Sequence, residues 1–229
     1  MTWILWTDGS SRGNPGPGGW GTIVANAEQV EELGGGEKKT TNNRMELMAL
    51  IEGLRRVPLS DEVDIYIDSQ YVKKGSTEWL GGWQRNGWQT SAKQPVENQD
   101  LWEMVAELLD ERKGKAHFHY QPGHHGIPGN ERADVIATTH ADGKPTSLYH
   151  GPRSGYTVDL TPAEVNSETK TRKREGVAYS YVSVVDGVVE THFSWMECED
   201  RVKGKSDAQF KKVFSAEEEK ALIAEWSRV

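Results

Sequence analysis

Cysteine is almost absent: the 229 residues contain one, Cys198. A lone cysteine closes no intramolecular disulfide, and no Cys/His spacing along the chain matches a zinc site. Cys198 reads as a reduced, buried thiol, the usual state of a free cysteine, and a reducing cytoplasmic setting is expected. Long apolar runs are missing as well. None approaches the roughly 18 residues of a membrane span, so no membrane association is expected. Met1-Thr2-Trp3 enters an apolar run directly, without the basic and apolar regions of a secretion signal. Internal repeats are lacking. So is a basic excess: the net charge is −8, with 27 basic against 35 acidic residues. That excludes a broadly basic nucleic-acid coat, but not a local groove, because phosphate contacts are local.

What remains is ordinary globular material, 35% hydrophobic and 27% charged, enough for one large or two small domains. The first 150 residues alternate in character. Trp3–Trp6 and Trp20–Ala25 read as strands around the Gly/Pro-rich turn 13–19. A polar strand over 28–33, ended by Gly34-Gly35-Gly36, completes an antiparallel meander. Leu47, Leu50, Ile51 and Leu54 mark a helix over 43–56, with Asn42 or Asn43 as its N-cap. A strand over 63–67, a short helix over 70–74, a Trp-rich excursion and a helix over 100–112 follow. Then come a strand over 116–120 and a helix over 130–140. This order predicts an α/β domain: a mixed five-stranded sheet with helices on both faces.

From residue 150 to about 176 the pattern fades into linker that leaves room for one strand over 156–160. Residues 177–185 alternate, Asp186-Gly187 makes a hairpin turn, and 188–193 forms its partner strand. Helices are expected over 195–202 and 216–226, the second opened by a Ser215-x-x-Glu218 capping box. The expected organisation is a domain over 1–158, a linker over 159–176 and a small α+β domain over 177–229.

Three carboxylates stand where a carboxylate is costly. Asp8 and Asp68 each end an apolar run, the position where open α/β sheets place ligands. Glu46 lies one turn into the first long helix. If the two strands are neighbours and the helix packs across them, the acids converge. Clustered carboxylates raise one another's pKa and are best relieved by a cation. Oxygen-only ligands point to Mg²⁺ or Mn²⁺. Taken singly, each acid also fits an ordinary polar residue at a turn.

The flanking sequences lower that alternative. Thr7-Asp8-Gly9-Ser10, Thr41-Asn42-Asn43-Arg44-Met45-Glu46-Leu47, Ile67-Asp68-Ser69-Gln70-Tyr71-Val72 and Gly123-His124-His125-Gly126-x-x-Gly129-Asn130-Glu131-x-Ala133-Asp134 resemble, in order and spacing, the signature blocks of type 1 ribonuclease H. The resemblance spans about residues 1–158. It implies endonucleolytic hydrolysis of the RNA strand of RNA/DNA hybrids with two Mg²⁺ ions, Mn²⁺ being a possible substitute, and 5′-phosphate and 3′-hydroxyl products. It implies Asp8, Glu46, Asp68 and Asp134 as metal ligands, Asp134 at the start of its helix, and His124 in proton transfer. Asn14, Asn42, Asn43 and Gln70 match positions that touch the minor groove, where a 2′-hydroxyl is sensed. Small residues at 9–11 would let backbone approach the sugar. Lys39, Thr41 and Asn98 match a DNA-phosphate pocket, and Tyr71, Trp79 and Trp83 a channel for DNA sugars. The segment 79–89 resembles the family's basic handle. It departs in charge, with Gln84, Asn86 and Gln89 at positions where Lys or Arg is common.

The C-terminal segment resembles the family's hybrid-binding domain, related to viroplasmin, which usually precedes the nuclease. The resemblance implies Trp195, Phe210, Lys211 and Lys212 as hybrid contacts. An extra residue before Gly187 and the acidic Glu197-x-Glu199-Asp200 depart from the pattern, and a plain Trp/Phe core with solvated lysines is the competing reading. The partner expected for the whole chain, read as a monomer, is an RNA/DNA hybrid. Two other functions compete with this one. A non-catalytic hybrid-binding protein predicts substitutions among the four acids, and there are none. A DNA-processing nuclease of the same fold lacks reason for the Asn/Gln set.

Overall fold

The computed structural model describes residues 1–123, 126–162, 179–203, 205 and 208–227, and the chain divides into two units, Met1–Val165 and Asn166–Val229. In the first unit the strands are β1 (Thr2–Ser11), β2 (Gly16–Ala25), β3 (Gln29–Thr40), β4 (Glu62–Ile67), β5 (Ala116–Tyr120) and β6 (His150–Pro152). The helices are α1 (Asn42–Arg56), α2 (Gln70–Lys74), α3 (Leu80–Arg85), α4 (Gln99–Asp110) and α5 (Pro128–Ala141), with a π-helical turn, Gly75–Trp79, joining α2 to α3. The sheet has six strands rather than five, ordered β5-β4-β1-β2-β3-β6. β1, β4 and β5 are parallel, and the remaining pairings are antiparallel. β6 is only His-Gly-Pro, paired to β3, and so short a strand carries no alternation to read.

One face of the sheet packs Trp3, Leu5, Val24 and Ile65 against Leu47, Leu50, Ile51 and Leu54 of α1 and Leu101, Trp102 and Val105 of α4. The other packs Trp6, Ile23 and Tyr66 under Ala133 and Ile136 of α5. The glycines of β2 and β3 explain how close α5 lies. A Cβ on Gly19 would fall 2.3 Å from the Ala137 carbonyl oxygen, and one on Gly21 2.4 Å from that of Ala133. For the same reason Gly34-Gly35-Gly36 does not end β3: the strand runs on to Thr40, and its glycines make room for His140, Ile136 and Trp20.

Residues 156–160 form no strand. Tyr156, Val158 and Leu160 alternate as expected of one but pair with no ladder. They pack on the α5 face with Ile4, Trp6 and Tyr66, and Leu160 is 1% exposed. The first unit therefore continues past residue 158, and the expected linker start at 159 is too early. Thr41, rather than Asn42 or Asn43, stands at the N-cap of α1.

In the second unit β7 (Ser180–Val185) lies between β8 (Val188–His192) and β9 (Gln209–Val213), all antiparallel. The helices α6 (Trp195–Val202) and α7 (Ala216–Trp226) match expectation. The full capping box is at Ser194/Glu197 of α6, while at α7 Ser215 accepts from the Glu218 amide. β9 was not anticipated: four of its five residues are exposed, so it shows no alternating burial. The core is small, Val182, Val213 and Leu222 with Val189, Ile223 and Trp226. Cys198 is fully buried, as expected. Among the described residues no helix is long and apolar enough to cross a membrane.

Candidate active site

Parallel pairing of β1 with β4 brings the first two acids together. The last pair in register is Thr7 with Ile67, so Asp8 and Asp68 are the next residues along on adjacent chains. Asp68 follows the end of β4 as expected. Asp8 does not end its strand, because β1 continues to Ser11 on its pairing with β2, where Asp8 faces Gly21. Alternation puts Asp8 on the face of Ile4 and Trp6, the face that α5 covers. Asp134 lies on α5, but in its seventh position rather than at its start, because the helix begins at Pro128.

Glu46 arrives from α1, whose first turn is pressed onto β1 at Gly9. A Cβ there would sit 2.1 Å from the Glu46 amide nitrogen and 2.5 Å from the Met45 carbonyl carbon. Gly9 thus admits the helix. Gly9→Ala is expected to lower the melting temperature by several degrees and cut hydrolysis at least tenfold by pushing Glu46 outward. A thermal melt and a turnover assay on the same preparation check this, and an unshifted melt with full turnover would remove the packing argument.

Three of the four acids, Asp8, Glu46 and Asp68, are held by hydrogen bonds. The Gly9 amide donates to Asp8 Oδ1 at 2.7 Å. Asn42 Nδ2 donates to Glu46 Oε1 at 2.8 Å, and the Ser69 hydroxyl donates to Glu46 Oε2. Asn130 Nδ2 donates to Asp68 Oδ2 at 3.3 Å. Ser69 and Asn130 were not singled out from the sequence, although each is adjacent to a motif acid or inside a motif block. Gly123 abuts the same carboxylate, since a Cβ there would lie 2.5 Å from Asp68 Oδ2. His124 lies outside the described residues.

The electrostatics are those of crowded, partly buried carboxylates. Burial pushes Asp8 well above the usual carboxylate range, reinforced by Asp68, Asp134 and Glu46 and opposed by the Gly9 amide. Burial pushes Glu46 up to about 7, with Asp68 adding to the effect and the bonds from Ser69 and Asn42 opposing it. Among the described residues no three acidic, histidine or cysteine side chains form a closed ligand set; the acids are neighbours held by their own donors. Their chemistry, carboxylate oxygen throughout, fits a hard divalent cation.

The substrate residues fall into two groups. Asn14 Oδ1 accepts from the Asn42 amide at 2.9 Å and from Ser11 Oγ at 3.1 Å, so Asn14, Asn42 and Glu46 form a connected row. Asn43 is half-buried on the same turn of α1, and Gln70 is exposed at the start of α2. The second group gathers around α4. Arg44 binds Asp100 with two bonds of 2.9 and 2.7 Å, tying the first turns of α1 and α4 together. Thr41 and Asn98 are the N-caps of these two helices, and neither caps with its side chain. Lys39 is exposed at the end of β3. Tyr71 Oη receives bonds from Trp102 Nε1 at 2.7 Å and Asn98 Nδ2 at 3.2 Å. Tyr71, Trp79 and Trp83 form one aromatic cluster over Trp102, with centroids 5.4–6.5 Å apart. Trp3, Trp6 and Trp102 are core residues, as expected.

In the second unit Trp195 lies between Tyr181 and Phe210, centroids 5.6 and 5.2 Å away. Trp195 is 39% and Phe210 51% exposed. Lys212 caps the Phe214 ring at 4.9 Å. Strand alternation puts Lys212 on the face of Phe210 and Lys211 on the opposite one.

Comparison with known proteins agrees with this geometry. Residues 1–142 match the family model for RNase H. The Ribonuclease H of Marinobacter nauticus is 52% identical over 135 residues, 58% of this chain and 90% of its own length. That of Bordetella pertussis is 52% identical over 135 residues, 58% of this chain and 84% of its own. Among solved structures, LC9-RNase H1, a type 1 RNase H with the type 2 active-site motif, aligns with a TM-score of 0.56 at 28% identity over 66% of this chain and 77% of that one. A foamy viral protease-reverse transcriptase in complex with RNA/DNA hybrid shares the fold, with a TM-score of 0.51 at 20% identity over 61% of this chain and 20% of that one. With four carboxylates borne on β1, on α1, just past β4 and on α5, and a domain matched over 142 residues, the chain belongs to the RNase H family.

Proposed function

We propose that this ribonuclease H hydrolyses the RNA strand of RNA/DNA hybrids at the acids Asp8, Glu46, Asp68 and Asp134, which would hold two divalent cations, Mg²⁺ or Mn²⁺. The observation that carries the reading is the cost of this arrangement: Asp8 and Glu46, driven toward protonation by burial and by neighbouring carboxylates, are relieved by a bound cation. When bound, a cation pair supplies activation of the attacking water and charge stabilisation of the leaving 3′-oxygen, consistent with 5′-phosphate and 3′-hydroxyl products.

The chain's own residues orient and select. Ser69 and Asn42 hold the Glu46 carboxylate in one orientation, and Asn130 does the same for Asp68. Glu46 with Asn14, Asn42, Asn43 and Gln70 forms a polar row suited to a 2′-hydroxyl. The paired N-termini of α1 and α4, with Thr41, Asn98 and Lys39, offer positive dipole ends and a lysine charge to a DNA phosphate. Tyr71, Trp79 and Trp83 present ring surface to the sugars beyond it. His124 is the residue we assign to proton transfer, since an imidazole titrates near neutrality. The decisive assay is cleavage of a labelled RNA/DNA hybrid beside RNA/RNA and DNA/DNA duplexes, with Mg²⁺ and with EDTA. Equal cleavage of all-DNA duplex, or undiminished cleavage in EDTA, would refute the reading.

The C-terminal unit is read as a hybrid-binding module. The exposed Trp195–Phe210 pair gives a stacking surface and Lys211 and Lys212 give phosphate contacts. The expected setting is cytoplasmic and the protein a monomer, with the module raising the local concentration of hybrid at the nuclease. Lys211→Ala combined with Lys212→Ala should weaken binding of long hybrids and flatten its salt dependence by up to about two phosphate contacts. Single-turnover cleavage at saturating enzyme should not change. An unaltered salt slope would make the module structural or protein-binding.

A further inference from the structure

Glu32 of β3 is a buried acid that the site does not use; its side chain is 1% exposed. It accepts from Arg132 Nε and Nη2, each at 2.7 Å, from Tyr156 Oη at 2.6 Å and from the Tyr149 amide at 2.9 Å. Arg132 Nη2 also donates to the Ser147 carbonyl at 2.7 Å. Four donors on two oxygens fill the capacity of a carboxylate. Burial alone would raise its pKa, yet Arg132, Tyr156 and Tyr149 hold it below the usual value. One carboxylate thus joins β3, α5 and the segment 147–156, which lies beyond the family match at residue 142.

Buried ion pairs add little net stability against apolar replacements, and their better-attested use is to select one arrangement. Here the arrangement concerns α5. Arg132 precedes Asp134 by two residues, so at 3.6 residues per turn the two side chains leave the helix on roughly opposite sides. Between them α5 rests on Gly19, Gly21 and Gly34 through Ala133, Ile136, Ala137, His140 and Ala141. A glycine-lined surface lets the helix come close but offers few ridges to stop it from rolling. The bonds to Glu32 supply that stop.

We infer that Glu32, Arg132 and Tyr156 are positioning residues that fix the roll of α5 and thereby the placement of Asp134 beside Asp8. This rests on the reading of Asp134 as a metal ligand. Tyr156 makes the segment after residue 142 part of the nuclease. Partners that orient a ligand commonly matter by 10–100-fold in metal affinity, and these act one step further out, so about three- to tenfold is expected.

The test uses the full chain, with Mn²⁺ binding followed by electron paramagnetic resonance and hybrid cleavage titrated with Mg²⁺. Tyr156→Phe removes one oxygen and keeps the ring, and Glu32→Gln removes the charge. Arg112→Lys is the control. Its parent side chain pins the Val57, Pro58 and Asp61 carbonyls between α1 and β4, away from α5. The expected result is weaker Mn²⁺ binding and a matching rise in the Mg²⁺ needed for half-maximal rate in the first two variants. KM for hybrid and the rate at saturating Mg²⁺ should be retained, amide exchange in α5 should quicken, and the control should bind Mn²⁺ normally despite its lower melting temperature. Asp134→Asn separates the two ideas. If it binds Mn²⁺ like the parent, the ligand reading falls and the inference with it. If it binds weakly while Tyr156→Phe and Glu32→Gln bind normally, the positioning role alone is overturned. Weakening in the control equal to that in Tyr156→Phe also overturns it, as plain destabilisation.

Discussion

Asp8→Asn or Asp68→Asn should reduce hybrid cleavage by about 10³-fold or more, the upper range for removing one preorganised electrostatic contribution, while hybrid binding and the fold persist. The two acids stand side by side where the parallel register of β1 and β4 ends, so an amide at either position is nearly isosteric and breaks no backbone pairing. What it removes is a charge. Asp8 is driven toward protonation by burial and by Asp68, Asp134 and Glu46, so the metal-free protein is destabilised by the cluster that makes it active. The variants are therefore expected to melt in EDTA at the same temperature as the parent or higher, and to gain less from added Mg²⁺. Turnover, a melt in EDTA and a melt in Mg²⁺ on one preparation give the answer. Near-normal turnover in either variant would remove the carboxylate cluster as the catalytic centre.

The two strand acids were legible because each follows an apolar run, and Glu46 because the helical period places it one turn inside α1. Their convergence depended on β1 lying parallel to β4, which no local pattern encodes; the motif blocks supplied it. Elements without a local signal were missed for physical reasons. β6 is three residues long, β9 exposes four of five residues, and α3 carries Gly81-Gly82, which depress helix propensity. Tyr156–Leu160 misled in the other direction. Its alternation is real, but it records packing on the α5 face rather than a ladder. The packing of α1 against Gly9 also has no local signal. Ser69, Asn130 and Glu32 act through partners 23, 62 and 100 positions away, and single-chain patterns do not show such pairs.

The pH dependence of stability offers a second large effect, with its sign set by Glu46. Its pKa is pushed up to about 7 in the folded protein from the usual 4.5, mainly by burial. Below the usual value both folded and unfolded chains carry the proton, and Glu46 contributes no pH dependence. Between about 4.5 and 7 the unfolded chain releases the proton and the folded one keeps it, so folding is progressively disfavoured as pH rises. Above about 7 the penalty is constant, on the order of 3 kcal/mol for a shift of about 2.5 units at 1.36 kcal/mol per unit. Asp8, raised in the same direction, adds to it, whereas Glu32, lowered, acts oppositely at more acidic pH. Comparison with Glu46→Gln isolates the one group. In EDTA the variant should melt close to the parent near pH 4.5 and higher by several degrees at pH 8, since about 1 kcal/mol moves the melt of a domain this size by about 2–4 °C. Mg²⁺ should erase the difference at pH 8 by stabilising only the parent's ionised acid. A gap independent of pH, or one that widens toward acid, would show that Glu46 is not the buried, proton-holding member of this cluster.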